Sequence, residues 1–475
     1  MIVDMKRLFR FGTGFLLCVL VFVSVAQPAG ALFVHDPEIG FVLDLPVGFE
    51  EVAPHRLSSV QSAELHRILA IRGFNGPLSP GSDDRDAEAV LVLLPAASLG
   101  VARRELWPGD EDLPLIDLLV ETAATATDAE GEAAVFTFAG NEALFAEVVL
   151  ERSQRAGYLV AVELADTLAV LIATAPASQA RQARDLLLSV LDSFGPPEPV
   201  PGPVAMFFEG DTEGGEWPEV TIRFPGPAVR FQFPEERVFF RATPGAPEAG
   251  DVLVSREARL LAGYQFAGPG GSRLPPREAG ATADINEAAR HAPAWLSAWR
   301  RYFRLIYRDT APRLSDLATQ IREYATAYRV PEEQIPDLVL SWLQAFEFRQ
   351  AVNAGLFQPP VICLLSASGD CDSLGMTYIV LLHHLGFEAG MFVSIEHGHA
   401  LTGVDAARST PGPGTATGSP EGVRTSGRTE SRVRFQVDGR DYYMAELTTA
   451  WPLGSVAREH TDQDDWHYVP LGVRD

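Results

Sequence analysis

The residues best suited to chemistry gather where a cysteine opens a helix. Gly369-Asp370-Cys371-Asp372-Ser373-Leu374 runs straight into apolar residues at helical spacing, Leu374, Tyr378, Ile379, Leu381, Leu382 and Leu385, and the pattern stops at Gly386. Cys371 therefore sits at a predicted helix N-terminus, where unpaired backbone N–H groups and the positive end of the macrodipole favour thiolate, the nucleophilic form. Alone, such a cysteine is equally well a small core residue. Downstream, residues 389–404 read as a strand pair carrying His397 and His399. Asp438-Gly439 then marks a hairpin between strands 433–437 and 442–447, the second bearing Glu446, with Thr448 two residues on. A cysteine on a helix, followed by a histidine and a carboxylate on successive strands, supplies the nucleophile, base and orienter that thiol catalysis requires.

Several neighbours compete for these roles. His397 lies two residues before His399, so on a strand both face the same side and alternation cannot choose between them. His383 and His384 fall in the middle of the cysteine helix and read as packing or surface residues. A metal set can be drawn from His397, His399, Asp405 and Glu446, but no paired spacing of the HExxH kind supports it, and no metal or cofactor is expected. A Cys363–Cys371 disulfide is the bland alternative for an oxidising compartment, and it would block catalysis.

Four stretches, "GDCDSLG", "LLHHLGFEAGMF", "HALTGV" and "AELTTAWPLG", together resemble the bacterial transglutaminase-like cysteine peptidase family within the papain-like thiol enzymes, over about residues 331–453. The resemblance implies Cys371 as nucleophile, His399 as base and Glu446 in the acidic position, where the family often has Asp. A Glu performs the same task if its strand sits slightly farther back. For the oxyanion, the Cys371 N–H is the first donor. The resemblance implies a second from an upstream polar side chain, for which Gln358 is the candidate; its plain reading is a loop residue before Pro359-Pro360. The activity so implied is hydrolysis of peptide or amide bonds, ahead of crosslinking, in a protein or peptide substrate, with cell-envelope material a candidate. The alternative is a non-catalytic binding or scaffold protein of the cell envelope that carries a transglutaminase-like domain.

These residues need a scaffold, and 475 residues with 47% hydrophobic and 21% charged content exceed one ordinary core. The predicted fold class is α+β. An N-terminal, antiparallel-sheet α/β/α sandwich-like domain spans 32–195, with strands at 41–45, 90–94, 134–139, 143–150, 158–165 and 168–173. A closing helix presents Ala180, Ala183, Leu186, Leu187, Val190 and Leu191, and its ending "LLLSVLDSF" weakly resembles the PsbP type. A Pro-rich linker, 196–203, marks a boundary. A β-rich region, 204–275, follows, with strands expected at 204–208, 220–224, 229–233, 238–241 and 260–266. The transglutaminase-like (papain-like) domain, 276–475, opens with helices. Trp295, Trp299, Tyr302, Phe303 and Ile306 form the apolar stripe of the first, with Arg300, Arg301, Arg304 and Arg308 largely on its other side. A polar insertion, 405–432, should be mobile.

The formal net charge of −25 argues against nucleic acid as a partner. Lys6, Arg7 and Arg10 precede an apolar run, 11–26, and Ala29-Gly30-Ala31 follows, the pattern of a secretory signal over 1–31. The protein is thus expected to be exported, periplasmic or extracellular, touching membrane only through that segment if it is retained. A chain beginning at Leu32 should be soluble, and limited proteolysis should cut it first within 405–432 and next near 196–203. Firm membrane retention of that chain, or resistance at both sites, would overturn these readings.

Overall fold

The computed structural model describes residues 31–59, 70–95, 129–209, 220–224, 238–242, 247–265, 292–349, 357–409 and 432–471, save isolated positions within them. The expected signal up to residue 30, the predicted strand 229–233 and most of the insertion, 410–431, lie outside the described residues. What is described mixes helices with antiparallel sheets, an α+β chain.

The N-terminal part contains β1 (Ala31–Asp36), β2 (Phe41–Val47), β3 (Glu50–Val52), β4 (Ala70–Gly76), β5 (Ala87–Pro95) and β6 (Ala129–Glu130). β7 (Ala133–Phe138), β8 (Asn141–Leu150), β9 (Arg155–Leu164), β10 (Thr167–Pro176), α1 (Arg184–Asp192) and β11 (Phe194–Gly195) complete it. The large sheet runs β3-β4-β5-β10-β9-β8-β6, with β7 also on β8, all antiparallel, and β1-β2-β11 form a smaller one. The sheet is buried on both faces. In β5, Ala89, Leu91 and Leu93 share a core with Leu186, Leu187, Val190 and Leu191 of α1, while Val90, Val92 and Leu94 join a second core behind. Two-sided burial is why 90–94 is a continuous apolar run rather than an alternating one.

Among the described residues of 204–275, two of the expected strands are helical. Residues 204–208 lie in α2 (Pro203–Glu209) and 260–265 in α3 (Pro247–Gln265), while β12 (Val220–Phe224) and β13 (Val238–Ala242) pair as strands. Short apolar runs do not distinguish strand from buried helix. Here the decision is made by a distant carboxylate: Asp192 Oδ1 accepts the N–H groups of Val204 and Ala205 at 3.0 and 2.9 Å and starts α2. The Pro-rich stretch is irregular, but it is docked. Gly202 packs on Asp192 so closely that a Cβ has no room, and Arg308 donates to Ser193 O at 2.8 Å and Pro196 O at 3.5 Å. Cleavage there should therefore be slower than a free tether allows.

The remainder comprises α4 (Ala292–Thr310), α5 (Ser315–Ala327), α6 (Ile335–Leu343), β14 (Glu347–Phe348), α7 (Pro360–Ser366), β15 (Ser368–Gly369) and α8 (Cys371–His384). β16 (Ala389–Ser394), β17 (His399–Asp405), β18 (Arg434–Val437), β19 (Arg440–Ala445) and β20 (His467–Val469) form an antiparallel sheet in the order β18-β19-β17-β16-β20. Met391, Val393, Ala400, Val404 and Ala445 share the core with α8, whereas Phe392, Leu401, Phe435 and Met444 share another with Val456 and Trp466. No described helix is long and apolar enough to cross a membrane.

Helix α4 ties these parts together, and its arginines are not a solvated face. Arg301 is buried, donating to Asp44 O at 2.7 Å, Glu257 Oε2 at 2.9 Å and Ser189 Oγ at 2.8 Å. Arg304 grips both oxygens of buried Asp44 at 2.7 and 2.8 Å, and Arg256 bridges Asp192 and Glu257 at 2.7 and 2.8 Å. Arg300 reaches the other way, to Tyr468 O of β20 at 3.1 Å. Meanwhile Tyr302, Phe303 and Ile306 are buried in the same core as α8, so the aromatic stripe is packing. Removing one partner of a buried, fully paired ion network strands the others. Arg301→Ala should cost about 3–5 kcal/mol in urea unfolding; a loss near zero would show that the network anchors nothing.

Candidate active site

Cys371 is the first residue of α8, and its neighbours explain why the helix starts there. Asp370 is the N-cap, its Oδ1 accepting the Ser373 N–H at 2.8 Å. The chain enters through β15, paired parallel to β14, after Ala367 closes α7 in the left-handed conformation at φ 47°. Gly369 is required on this approach, because a Cβ there would lie 2.9 Å from Cys363 Sγ. Both cysteines are free, so the Cys363–Cys371 disulfide is not formed; Cys363 is buried, which pushes its thiol up to about 12. The Cys371 thiol is partly buried. It donates to Asp372 Oδ1 at 3.7 Å and accepts the backbone N–H of Ala400, the residue after His399. Gln358 is brought to the same turn: its N–H donates to Ser373 Oγ at 2.8 Å, and its buried Oε1 has no hydrogen-bond partner.

Strand register brings His399 and Glu446 together. Thr402 pairs with Ala445, so one step further Glu446 stands opposite Leu401, on the face that His399 also shares. His399 Nε2 lies 2.9 Å from Glu446 Oε2. The other oxygen, Oε1, accepts the Thr448 N–H at 3.0 Å and its hydroxyl at 2.6 Å. The turn is held from behind by α6 and the residue that ends it. Gln344 donates to Glu446 O at 2.6 Å and Trp451 O at 2.8 Å, and Asp337 accepts the Leu453 N–H at 3.0 Å. The Glu446 side chain thus reaches His399 from a backbone position that these bonds fix.

The electrostatics revise one expectation. Burial pushes the Cys371 thiol up, and the charges of Asp372, Asp370 and Glu446 push the same way, with only the Ala400 N–H opposing them. The resting group is a thiol, against the thiolate that the helix terminus alone favours. Asp372 is itself pushed up to about 7 by burial and by Asp370. For His399, burial lowers the value, but the hydrogen bond and charge of Glu446, with Asp372 beyond, more than offset it and the result is raised. For Glu446, burial raises the value, yet His399 and Thr448 outweigh it and the carboxyl is held low. An ionised Glu446 accepts a proton from Nε2, so the neutral imidazole keeps its lone pair on Nδ1.

The competing residues separate cleanly. His397 is not on the strand: it lies in the turn before β17, its N–H on Ser394 Oγ at 3.2 Å and its Nε2 3.3 Å from Asp465 Oδ2. His383 is held between Tyr307 Oη and Ala389 O, both at 2.8 Å, and His384 lies 2.5 Å from Ala311 O. Asp405 ends β17 and accepts the Ala407 N–H, so His397, His399, Asp405 and Glu446 do not converge. Two participants carry no role in the motif reading. Asp372 was visible inside "GDCDSLG". His460 comes from the polar segment 458–468, where only the clustering of His460, Trp466 and His467 stands out. Its ring packs tilted against that of His399, with centroids 5.0 Å apart, and its Nδ1 is 3.8 Å from Glu446 Oε2.

No family model and no curated protein matches the chain. Among solved structures, the chain is similar to the solution structure of cyanobacterial PsbP (CyanoP) from Synechocystis sp. PCC 6803. The match has 14% identity and a TM-score of 0.24, covering 37% of this chain and 98% of that one. A likeness of that size supports no statement about fold or function.

Two measurements check the electrostatics. Alkylation of Cys371 by iodoacetamide, mapped by mass spectrometry, should climb through the alkaline range with no plateau below about pH 9. Asp372→Asn, which removes a charge that disfavours thiolate, should shift the profile to lower pH. A plateau in the neutral range of the parent protein would mean that thiolate and imidazolium are already formed.

Proposed function

We propose that this chain is an exported thiol hydrolase of the transglutaminase-like, papain-like type, acting on peptide or amide bonds through Cys371, His399 and Glu446. The single observation that carries the reading is the 2.9 Å contact of His399 Nε2 with a buried Glu446, beside a cysteine that opens α8 and receives the N–H of Ala400. The N-terminal sheet and α1, in this reading a sandwich-like module, present or bind the substrate, a protein or peptide, with cell-envelope material the first candidate.

The proposed route has two stages, acylation of the cysteine and its hydrolysis. As Cys371 Sγ attacks the carbonyl carbon, its proton passes to His399 Nδ1, and the imidazolium is stabilised by Glu446 through Nε2–H. Because the resting thiol is protonated, transfer accompanies attack instead of preceding it. The Cys371 N–H, unpaired within the helix, is the first oxyanion donor. The Gln358 amide is the second, and its unengaged buried end fits that assignment, since amide orientation follows from hydrogen bonding. Collapse breaks the C–N bond, with the His399 proton leaving on the amine. Water then attacks the thioester, gives its proton to His399, and releases the acid as the thiol is restored.

The protonated thiol also favours a second reading, a non-catalytic envelope scaffold. Substitutions on a fluorogenic amide or peptide library separate the two. Cys371→Ser and His399→Ala should abolish turnover, while Glu446→Gln, which keeps the hydrogen bond but not the charge, should lower it by roughly two to three orders of magnitude and leave it measurable. His397→Ala should retain it. Silence of His397→Ala with an active His399→Ala would move the base; no activity in any form, parent included, would leave the scaffold.

A further inference from the structure

We propose that His399, Glu446 and His460 form a divalent-cation site, with zinc as the fitting ion, and that its occupation switches off the base. Three ligand atoms, one from each residue, lie within 4.8 Å of one another. Glu446 Oε2 is central, 2.9 Å from His399 Nε2 and 3.8 Å from His460 Nδ1. A tetrahedral zinc with bonds of about 2.0–2.1 Å needs ligand atoms about 3.3 Å apart, a value these two spacings bracket. Two imidazoles and a carboxylate make the donor set of a three-ligand zinc centre with an open fourth position.

An independent observation singles out His460. Its Nδ1 is buried without any hydrogen-bond partner, and the Glu446 oxygen it faces is too distant to serve. A buried orphan nitrogen costs free energy unless something fills it. The ring is held among three others, tilted against His399 and His397 with centroids 5.0 and 4.9 Å away and edge-on to Trp466 at 5.4 Å. Aimed at a carboxylate already shared with a second imidazole, it completes a donor set of which the proposed hydrolysis uses only His399 and Glu446.

The consequence for the base follows from tautomers and rests on the proposed function. A neutral imidazole can bind a metal through Nε2 only in the form that carries its proton on Nδ1. Nδ1 is the atom that has to accept the thiol proton. Zinc would therefore act as a reversible inhibitor through the histidine and carboxylate, leaving the cysteine free.

The test is calorimetric titration of zinc into untagged full-length protein, alongside the visible spectrum with cobalt as reporter. One ion per chain is expected, with tetrahedral d–d absorption and no thiolate charge-transfer band, and Cys371→Ser should bind equally well. His460→Ala should weaken binding at least about tenfold, as should His460→Gln, which keeps the packing volume. Circular dichroism checks that both are folded. No binding by the parent protein, equal binding by both His460 variants, or loss of binding in Cys371→Ser would each overturn the site. These readouts need no turnover, so a missing amidase activity leaves them intact. If activity is present, zinc should inhibit the parent at concentrations that spare His460→Ala, and equal inhibition of both would sink the regulatory reading.

Discussion

A buried carboxylate must have partners for all of its charge, and Glu446 places that demand on everything around it. It is 3% exposed, with one oxygen on His399 and the other on the backbone and hydroxyl of Thr448. Each partner has its own support. His399 is set by the β16–β17 hairpin and Thr448 by the turn that Gln344 and Asp337 hold against α6. Tyr378 ties α8 back to that same helix through Pro336 O at 2.9 Å. Cysteine helix and acid turn are thus referred to one scaffold element, so a shift in α6 would be felt by both.

A second buried network sets the frame. Arg301, Arg304 and Arg256 meet Asp44, Glu257 and Asp192 with little solvent to screen them, joining β2, α1 and α3 to α4. Such a network stabilises less than a hydrophobic patch of equal size, but it tolerates almost no misalignment, because every displaced partner leaves a charge unpaired. The same helix turns its aromatic side to the core that α8 enters. The N-terminal part and the cysteine helix are therefore mechanically linked through α4.

The legible parts of the chain were those in which local and global preferences agree. The β7 to β10 meander, the α4 stripe and the start of α8 each follow from spacing, caps and turns present within a few residues. Residues 204–208 and 260–265 failed because their apolar runs are ambiguous and the deciding partners, Asp192 for the first, are remote in sequence. Nor does anything local reveal that Asp44 and Glu257 will meet the α4 arginines. In the site, the motif singled out Cys371, His399 and Glu446, of which the fold brings the last two to 2.9 Å, and the turn containing Gly398 (φ 54°) keeps His397 off the strand. His460 had no local signal, since it reaches the site from a 3-10 turn on the sheet's second face.

Local electrostatics place helix initiation and thiol activation in opposition. Asp370 caps α8 by taking the Ser373 N–H, the kind of charge a helix N-terminus prefers, yet that charge and its neighbour Asp372 both disfavour a thiolate at Cys371. The macrodipole that would lower the thiol is partly neutralised by the cap that makes the helix start there. What remains on the activating side is the Ala400 N–H and the ability of His399 to accept a proton. Because Asp372 is pushed up to about 7, its charge varies near neutrality, and with it the load against a thiolate at Cys371.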